Sequence, residues 1–189
     1  LSFYLCLVLL LFHNNYFYIY CLWVSGSYKG KGYGKELLQS CIDDAKAQGK
    51  SGICLLSSKK KKPFLSEKKF MLKYGFKVVD TINDEYELLA LSFDGTQPQF
   101  TSNVRKQSIE GKELTIYYGV QCPYIPNCIE QIYNYCENNQ IPLRLVEIDT
   151  LEKAKQLPCI FNNWAVFYNG KFETVHLLNE GLLKKLLLR

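Results

Sequence analysis

The order of elements along the chain predicts an α/β fold built from two modules. Twice in the 189 residues, a run of apolar, β-branched and aromatic residues leads into a helix-periodic segment and then a second short apolar run. That is the βαβ order, which calls for parallel pairing and a right-handed crossover. Between the two repeats, residues 94–112 dissolve into Gly, Thr, Gln, Pro, Ser and charge, the composition of a linker. The expected boundaries are therefore 1–93, a linker at 94–112, and 113–189.

In the first module, residues 16–24 are rich in aromatic and β-branched types and read as a buried strand. Residues 35–48 place Leu37, Leu38, Cys41, Ile42 and Ala45 on one helical face, and Gly49 is positioned to end that helix. A short strand is expected at 53–56. Four lysines, Lys59 to Lys62, and Pro63 then break the chain. A second helix is expected at 64–74, closed by Gly75. Strands at 76–79 and 86–93 are joined through an Asn83-Asp84 turn.

The second module opens with a strand at 114–118. A helix starts near Pro126 with Ile129, Ile132, Tyr133 and Cys136 on one face, and a strand follows at 143–148. Asp149 and Glu152 have the spacing of a capping box for a short helix. Strands at 160–168 and 171–174 flank Asn169-Gly170, a two-residue hairpin signal. Leu182, Leu183, Leu186 and Leu187 finish the chain as a helix.

The net charge of +5 suits an anionic ligand, but no stretch alternates aromatic and basic residues, so nucleic acid is not an expected partner. The eight cysteines (6, 21, 41, 54, 122, 128, 136, 159) mostly occupy positions that a small hydrophobe would fill, with neither a CxxC pair nor Cys/His metal spacing. Reduced thiols in a cytoplasm are the expectation, with no metal. The chain begins at Leu1, and 3–12 is nearly all apolar. That run is too short to span a bilayer and lacks the flanks of a signal peptide, so no membrane partner is expected; an anchor is the alternative. His13 and His176 stand isolated, and Trp23 and Trp164 read as core.

The stretch Lys29-Gly30-Lys31-Gly32-Tyr33-Gly34-Lys35 lies between the first strand and the first helix. Glycines let a backbone curl close to a ligand, while the first N–H groups of a helix lack internal partners and sit at the positive end of its dipole. Together these make a phosphate cradle. A P-loop is excluded, because Glu36 stands where the magnesium-binding hydroxyl belongs and Lys29 where the first glycine belongs. A dinucleotide fingerprint is excluded because the third glycine comes one residue early. The pattern that fits is Arg/Gln-x-x-Gly-x-Gly/Ala, with Lys29 in the first place and Gly32 and Gly34 as the small residues. On these residues the module resembles the GNAT acetyltransferases. Cys21-Leu22-Trp23-Val24 is similar to that family's fourth strand, Leu37-Leu38 to the start of its third helix, and Lys73-Tyr74-Gly75-Phe76 to its closing Gly-Phe motif.

The resemblance implies acetyl-CoA as co-substrate and direct transfer of acetyl to an amine, on a small molecule or a peptide. It implies a backbone N–H from Leu22, Trp23 or Val24 at the developing oxyanion, and the N–H groups of Gly30 to Lys35 at the pyrophosphate. Lys29, Lys31 and Lys35 either add charge or are merely solvated, and the same two readings apply to Lys59 to Lys62 at the 3′-phosphate. The family's usual acid, a tyrosine four residues before the glycine, is replaced by Met71, leaving Tyr74 as the candidate, with core packing as its other reading. Relative to the family, three strands and two helices ahead of the fourth strand are missing. The chain thus reads as a fragment with a partial GNAT mixed sheet, whose open strand edge implies self-association.

The second module, in the order β-α-β-α-β-β-α, resembles the thioredoxin fold, and Cys122-Pro123-Tyr124 resembles a glutaredoxin active-site start, although Ile125 takes the place of the resolving cysteine. That resemblance implies a cis Leu157–Pro158 bond facing Cys122. A GNAT module followed by such a module is similar to the YoaP-like acetyltransferases, from Tyr18 to the C-terminus. Two alternatives stay open beside an acetyltransferase: a glutaredoxin-like thiol protein using Cys122, and a non-catalytic CoA-binding or interaction protein.

Overall fold

The computed structural model describes the backbone of residues 5 and 6, and residues 15–62 and 64–188. Most of the apolar run 3–12, His13 and Pro63 lie outside the described residues. The chain divides into two compact units, Leu1–Thr101 and Ser102–Arg189.

The first unit holds a mixed sheet of strands β1 (Leu5–Cys6), β2 (Tyr16–Ile19), β3 (Gly52–Ser58), β4 (Lys77–Ile82) and β5 (Tyr86–Ser92), in the order β1-β2-β3-β5-β4. β2 and β3 are parallel and the other pairs antiparallel, as a crossover helix between β2 and β3 requires. All seven residues of β3 are buried. At Gly52 a side chain has no room: a Cβ would overlap the Leu91 carbonyl and the Tyr16 ring. The Tyr16 hydroxyl reaches on to donate to the Thr96 carbonyl at 2.5 Å.

The crossover helix α1 (Tyr33–Ala47) buries Leu38, Cys41 and Ala45, and α2 (Lys68–Lys73) buries Met71, on the face carrying Phe17, Ile19, Ile53, Leu55 and Leu89. Three expectations are corrected here. The first strand ends at Ile19 rather than Val24, and Trp23 is 65% exposed instead of core. Beyond Tyr18 β2 is not paired to β3, so the strand does not continue through residues 21–24 on that side. The second helix is a single short element, because 64–67 ahead of it stays irregular. The Asn83-Asp84 turn is as expected, both residues taking positive φ (53° and 51°).

The second unit holds β6 (Leu114–Tyr118), α3 (Ile125–Asn138), β7 (Leu143–Glu147), α4 (Leu151–Lys155), β8 (Trp164–Tyr168), β9 (Lys171–Thr174) and α5 (Glu180–Leu187). The sheet order is β7-β6-β8-β9, with β6–β7 parallel and β8 antiparallel to both its neighbours. α3 and α5 pack Ile125, Ile132, Cys136, Leu183 and Leu186 against Leu114, Ile116, Trp164 and Val166. Asn169 and Gly170 both have positive φ, the backbone that a two-residue hairpin turn demands. The cap of α4 is Thr150, whose Oγ1 accepts the Lys153 N–H at 3.2 Å; Asp149, expected as the cap, instead pairs with the Lys153 ammonium at 2.7 Å. Residues 94–112 are not bare linker, since Phe100 and Val104 are buried and the Asp80 carboxylate accepts the Phe100 N–H at 2.8 Å.

Gly52→Ala tests the close approach of β3 to Tyr16. The expected outcome is a loss of about 1–3 kcal/mol, the cost of overpacking a filled site, read from urea unfolding. An unchanged midpoint would show that Tyr16 moves aside freely.

Candidate functional site

Helix α1 delivers its N-terminus to the surface because its apolar stripe, Leu38, Cys41 and Ala45, is committed to the sheet. The turn entering it is made by Gly30 (φ 77°) and Gly32 (φ 89°), a backbone region that side-chain-bearing residues avoid. Gly32 is the N-cap, and its carbonyl accepts the N–H groups of Lys35 and Glu36 at 2.9 and 3.2 Å. Among the described residues, the N–H groups of Gly30, Lys31, Gly32, Tyr33 and Gly34 donate to no backbone carbonyl. Nothing lies within 4 Å of where a Cβ would stand on Gly30 or Gly32. The result is an exposed turn of N–H donors at the positive end of a 15-residue helix, which fits a phosphate group.

Gly34, inside the first turn of α1, has an ordinary helical backbone and room for a Cβ. A Cβ there would sit 3.5 Å from the Phe70 ring of α2, and the Phe70 ring packs against Tyr74 with centroids 4.8 Å apart. Tyr74 is half-buried at the C-terminal end of α2, while Met71 is fully buried. Tyr74, Phe70 and Gly34 therefore form one continuous wall. Phe70 was not singled out from the sequence; its four-residue spacing from Tyr74 on a helix was the available signal.

The lysines of the loop are exposed, with Lys29 Nζ 5.6 Å from the Trp23 ring centre and Lys31 Nζ 6.0 Å from that of Tyr28. Tyr28 and Tyr33 meet edge to face at 6.0 Å. Of the second lysine group, Lys62 pairs with Glu85 at 2.5 Å and Lys59 stands 4.0 Å from Asp84, both across the β4–β5 turn. The Glu85 carboxylate raises the Lys62 pKa. Those two charges tie the segment after β3 to the β4–β5 turn.

Beside the loop β2 and β3 part. β2 and β3 pair at Tyr16–Gly52, Phe17–Ile53 and Tyr18–Cys54; β3 then runs on to Ser58, paired with β5 alone. Leu22, Trp23 and Val24 follow β2 where the two strands part, alternating half-buried, exposed and half-buried. Tyr18, at the parting point, is buried, and burial pushes its phenol well above the usual range, with the neighbouring Cys54 adding to the shift.

In the second unit, Cys122 is half-buried between β6 and α3, and its carbonyl accepts the Ile125 N–H at 3.0 Å. Ile125 is fully buried. The thiol of Cys128 donates to the Leu178 carbonyl at 3.1 Å, and burial raises its pKa, so it is engaged in the core. No described peptide bond is cis, which corrects the expectation for Leu157–Pro158. The trans form is the intrinsically favoured one before proline, and here the Pro158 carbonyl accepts the Gln107 N–H at 2.8 Å. His176 is exposed; its N–H donates to Thr174 Oγ1, and its carbonyl accepts the indole N–H of buried Trp164. Among the described residues no group of His, Cys, Asp and Glu is arranged to hold a metal ion, and no helix is long and apolar enough to cross a membrane.

Comparison with known proteins agrees with this geometry. Residues 4–76 match the model of the acetyltransferase (GNAT) family, and residues 142–185 match a YoaP-like model. Over 175 residues the chain is 38% identical to a protein of Bacillus subtilis (strain 168) described as uncharacterized N-acetyltransferase YoaP, covering 92% of this chain and 70% of that one. No solved structure matches.

The thiols give a direct check on burial. Burial pushes Cys159 up to about 12 and raises Cys54 further, so both stay protonated in the folded chain where an unfolded cysteine ionises near 9. Their contribution to stability is complete below that pH and is lost as pH rises toward 12. Iodoacetamide at pH 8 should label Cys21 and Cys122 and spare Cys54 and Cys159, as read by peptide mass spectrometry. Labelling of Cys159 as fast as Cys21 in folded protein would contradict the packing.

Proposed function

We infer the reaction from one premise: the chain belongs to the GNAT N-acetyltransferases, in the group that carries a YoaP-like C-terminal region. It is an acetyl-CoA-dependent N-acetyltransferase. The observation that carries the residue-level proposal is the glycine cradle at the N-terminus of α1, set beside the parting of β2 and β3.

In this reading the N–H groups of Gly30 to Lys35 hold the pyrophosphate of CoA, with Lys29, Lys31 and Lys35 adding positive field. The pantetheine arm lies along the β3 edge past Cys54. The acceptor nitrogen attacks the thioester carbonyl carbon, and charge collects on the carbonyl oxygen. An N–H from Leu22, Trp23 or Val24 meets that oxyanion; one such donor is worth about 2.7–4 kcal/mol in a water-excluded site. Collapse breaks the C–S bond, the nitrogen sheds a proton to water, and the CoA thiolate takes one up. Tyr74 is the proposed proton donor, supported by the wall it shares with Phe70 and Gly34. Met71, at the family's usual position, carries no proton to give. The acceptor is an amine of a small molecule or a peptide. The assignment of 1–93 to acetyl transfer and 113–189 to the YoaP-like module is part of the same proposal. So is a cytoplasmic location, supported by described cysteines that remain thiols.

Two measurements test the reading. Gly32→Glu and Gly34→Glu introduce a carboxylate into the cradle, and Gly34→Glu also strikes Phe70; calorimetric titration with CoA should show binding lost in both. Retained affinity in both variants would remove the cradle from the site. Tyr74→Phe should leave CoA binding intact and lower kcat by about 100-fold, the scale of a lost general acid. An unchanged kcat would return Tyr74 to a packing role.

A further inference from the structure

We propose that the cavity between the end of β9 and helix α5 is a binding site for a short aliphatic carboxylate, independent of the acetyl-transfer reading. β9 ends at Thr174, the chain turns through His176, and α5 begins at Glu180. Leu182 and Leu186, one turn apart on α5, line the cavity together with Leu178 just ahead of the helix. Lys185 stands on the same helix, and Glu173, Thr174 and His176 complete the lining. Leu183 and Leu186 belong to the core of this unit, but Leu182 does not. It is 43% exposed, a large apolar side chain on the cavity that no core residue covers.

The walls are held in place from behind. The indole N–H of buried Trp164 donates to the His176 carbonyl at 3.0 Å, and the Cys128 thiol donates to the Leu178 carbonyl at 3.1 Å. The His176 N–H donates to Thr174 Oγ1 at 3.0 Å, and Asn179 Oδ1 accepts the Leu182 N–H at 2.9 Å. The segment joining β9 to α5 is thus tied to the core at two points and to itself at two more. A site already held in shape spares its ligand the cost of ordering it.

Size and charge narrow the ligand. The cavity encloses about 230 Å³. That is below the roughly 300–1,000 Å³ of sites for drug-sized molecules, so its occupant is smaller than these. Three leucines call for hydrocarbon. Lys185 is exposed and joins no ion pair among the described residues, whereas the neighbouring Lys184 is paired with Glu180. Glu173 and His176 have partners of their own. An ammonium beside a leucine surface matches a carboxylate with a hydrocarbon tail, the head on Lys185 and the tail covering Leu182.

Hexanoate is the probe, titrated into the ¹⁵N-labelled full chain without acetyl-CoA, so a failure of acetyl transfer has no bearing on the result. The backbone amide signals of Thr174, His176, Leu178, Leu182 and Lys185 should shift along one saturating curve. Carboxylate held at the Gly30–Gly34 turn is read apart, from those amides. Butanoate, two methylenes shorter, should need about 15-fold more for half-saturation, each buried methylene being worth about fourfold. Hexan-1-ol keeps the tail without the charge and should need about fivefold more, the upper weight of an exposed ion pair. Lys185→Gln, a surface change that leaves the fold intact, should weaken hexanoate by the same fivefold and leave hexan-1-ol unchanged. The proposal is overturned if the cavity amides do not saturate with hexanoate, or if butanoate or hexan-1-ol binds the parent chain as tightly. It is overturned equally if Lys185→Gln keeps the preference for hexanoate over hexan-1-ol.

Discussion

Strand β3 is buried along its whole length, and that burial organises the first unit. A buried backbone must find partners for its polar groups. On one side β5 supplies them from Gly52 to Ser58, residue by residue. On the other, β2 covers only Gly52 to Cys54 before the strands part. The first contact holds because Gly52 has no side chain, which lets the Tyr16 ring lie against the strand. The parting of the two strands thus begins where their pairing ends, at Cys54.

The anion cradle depends on the same sheet at one remove. α1 points its donor-rich end outward because its apolar residues are held against β2 and β3. The turn before it needs glycine for backbone freedom at Gly30 and Gly32. At Gly34 the backbone is helical and a Cβ would meet the Phe70 ring at ordinary contact distance, so local stereochemistry sets only the first two.

The second unit resolves the opposite tension. Its sheet is sealed by α3 and α5 on one face, and on the other by the packed rings of Tyr117, Phe161, Phe167 and Phe172. At the sheet end Asn162 and Asn163 pack directly on Gly119, whose N–H donates to the Asn163 carbonyl.

Periodicity and turn chemistry in the sequence were enough for the α/β class, the two βαβ units, the Asn83-Asp84 and Asn169-Gly170 turns and the glycine loop opening α1. These are local properties: a 3.6-residue apolar repeat or a pair of residues that tolerate positive φ works the same way in any fold. The residues carrying the GNAT resemblance, Lys29, Gly32, Gly34 and Gly75-Phe76, were legible for the same reason. What only the tertiary structure decided were properties of pairs far apart in the chain. Residues 21–24 have strand composition, but a strand needs a neighbour, and none pairs there on the β3 side, so Trp23 is exposed. Phe70 beside Gly34, Lys62 turned to Glu85, Cys128 bonded to Leu178 and the two asparagines packed on Gly119 all depend on which segments the sheets bring together. Composition and spacing carry no record of that neighbourhood, because it is set by burial across the whole unit.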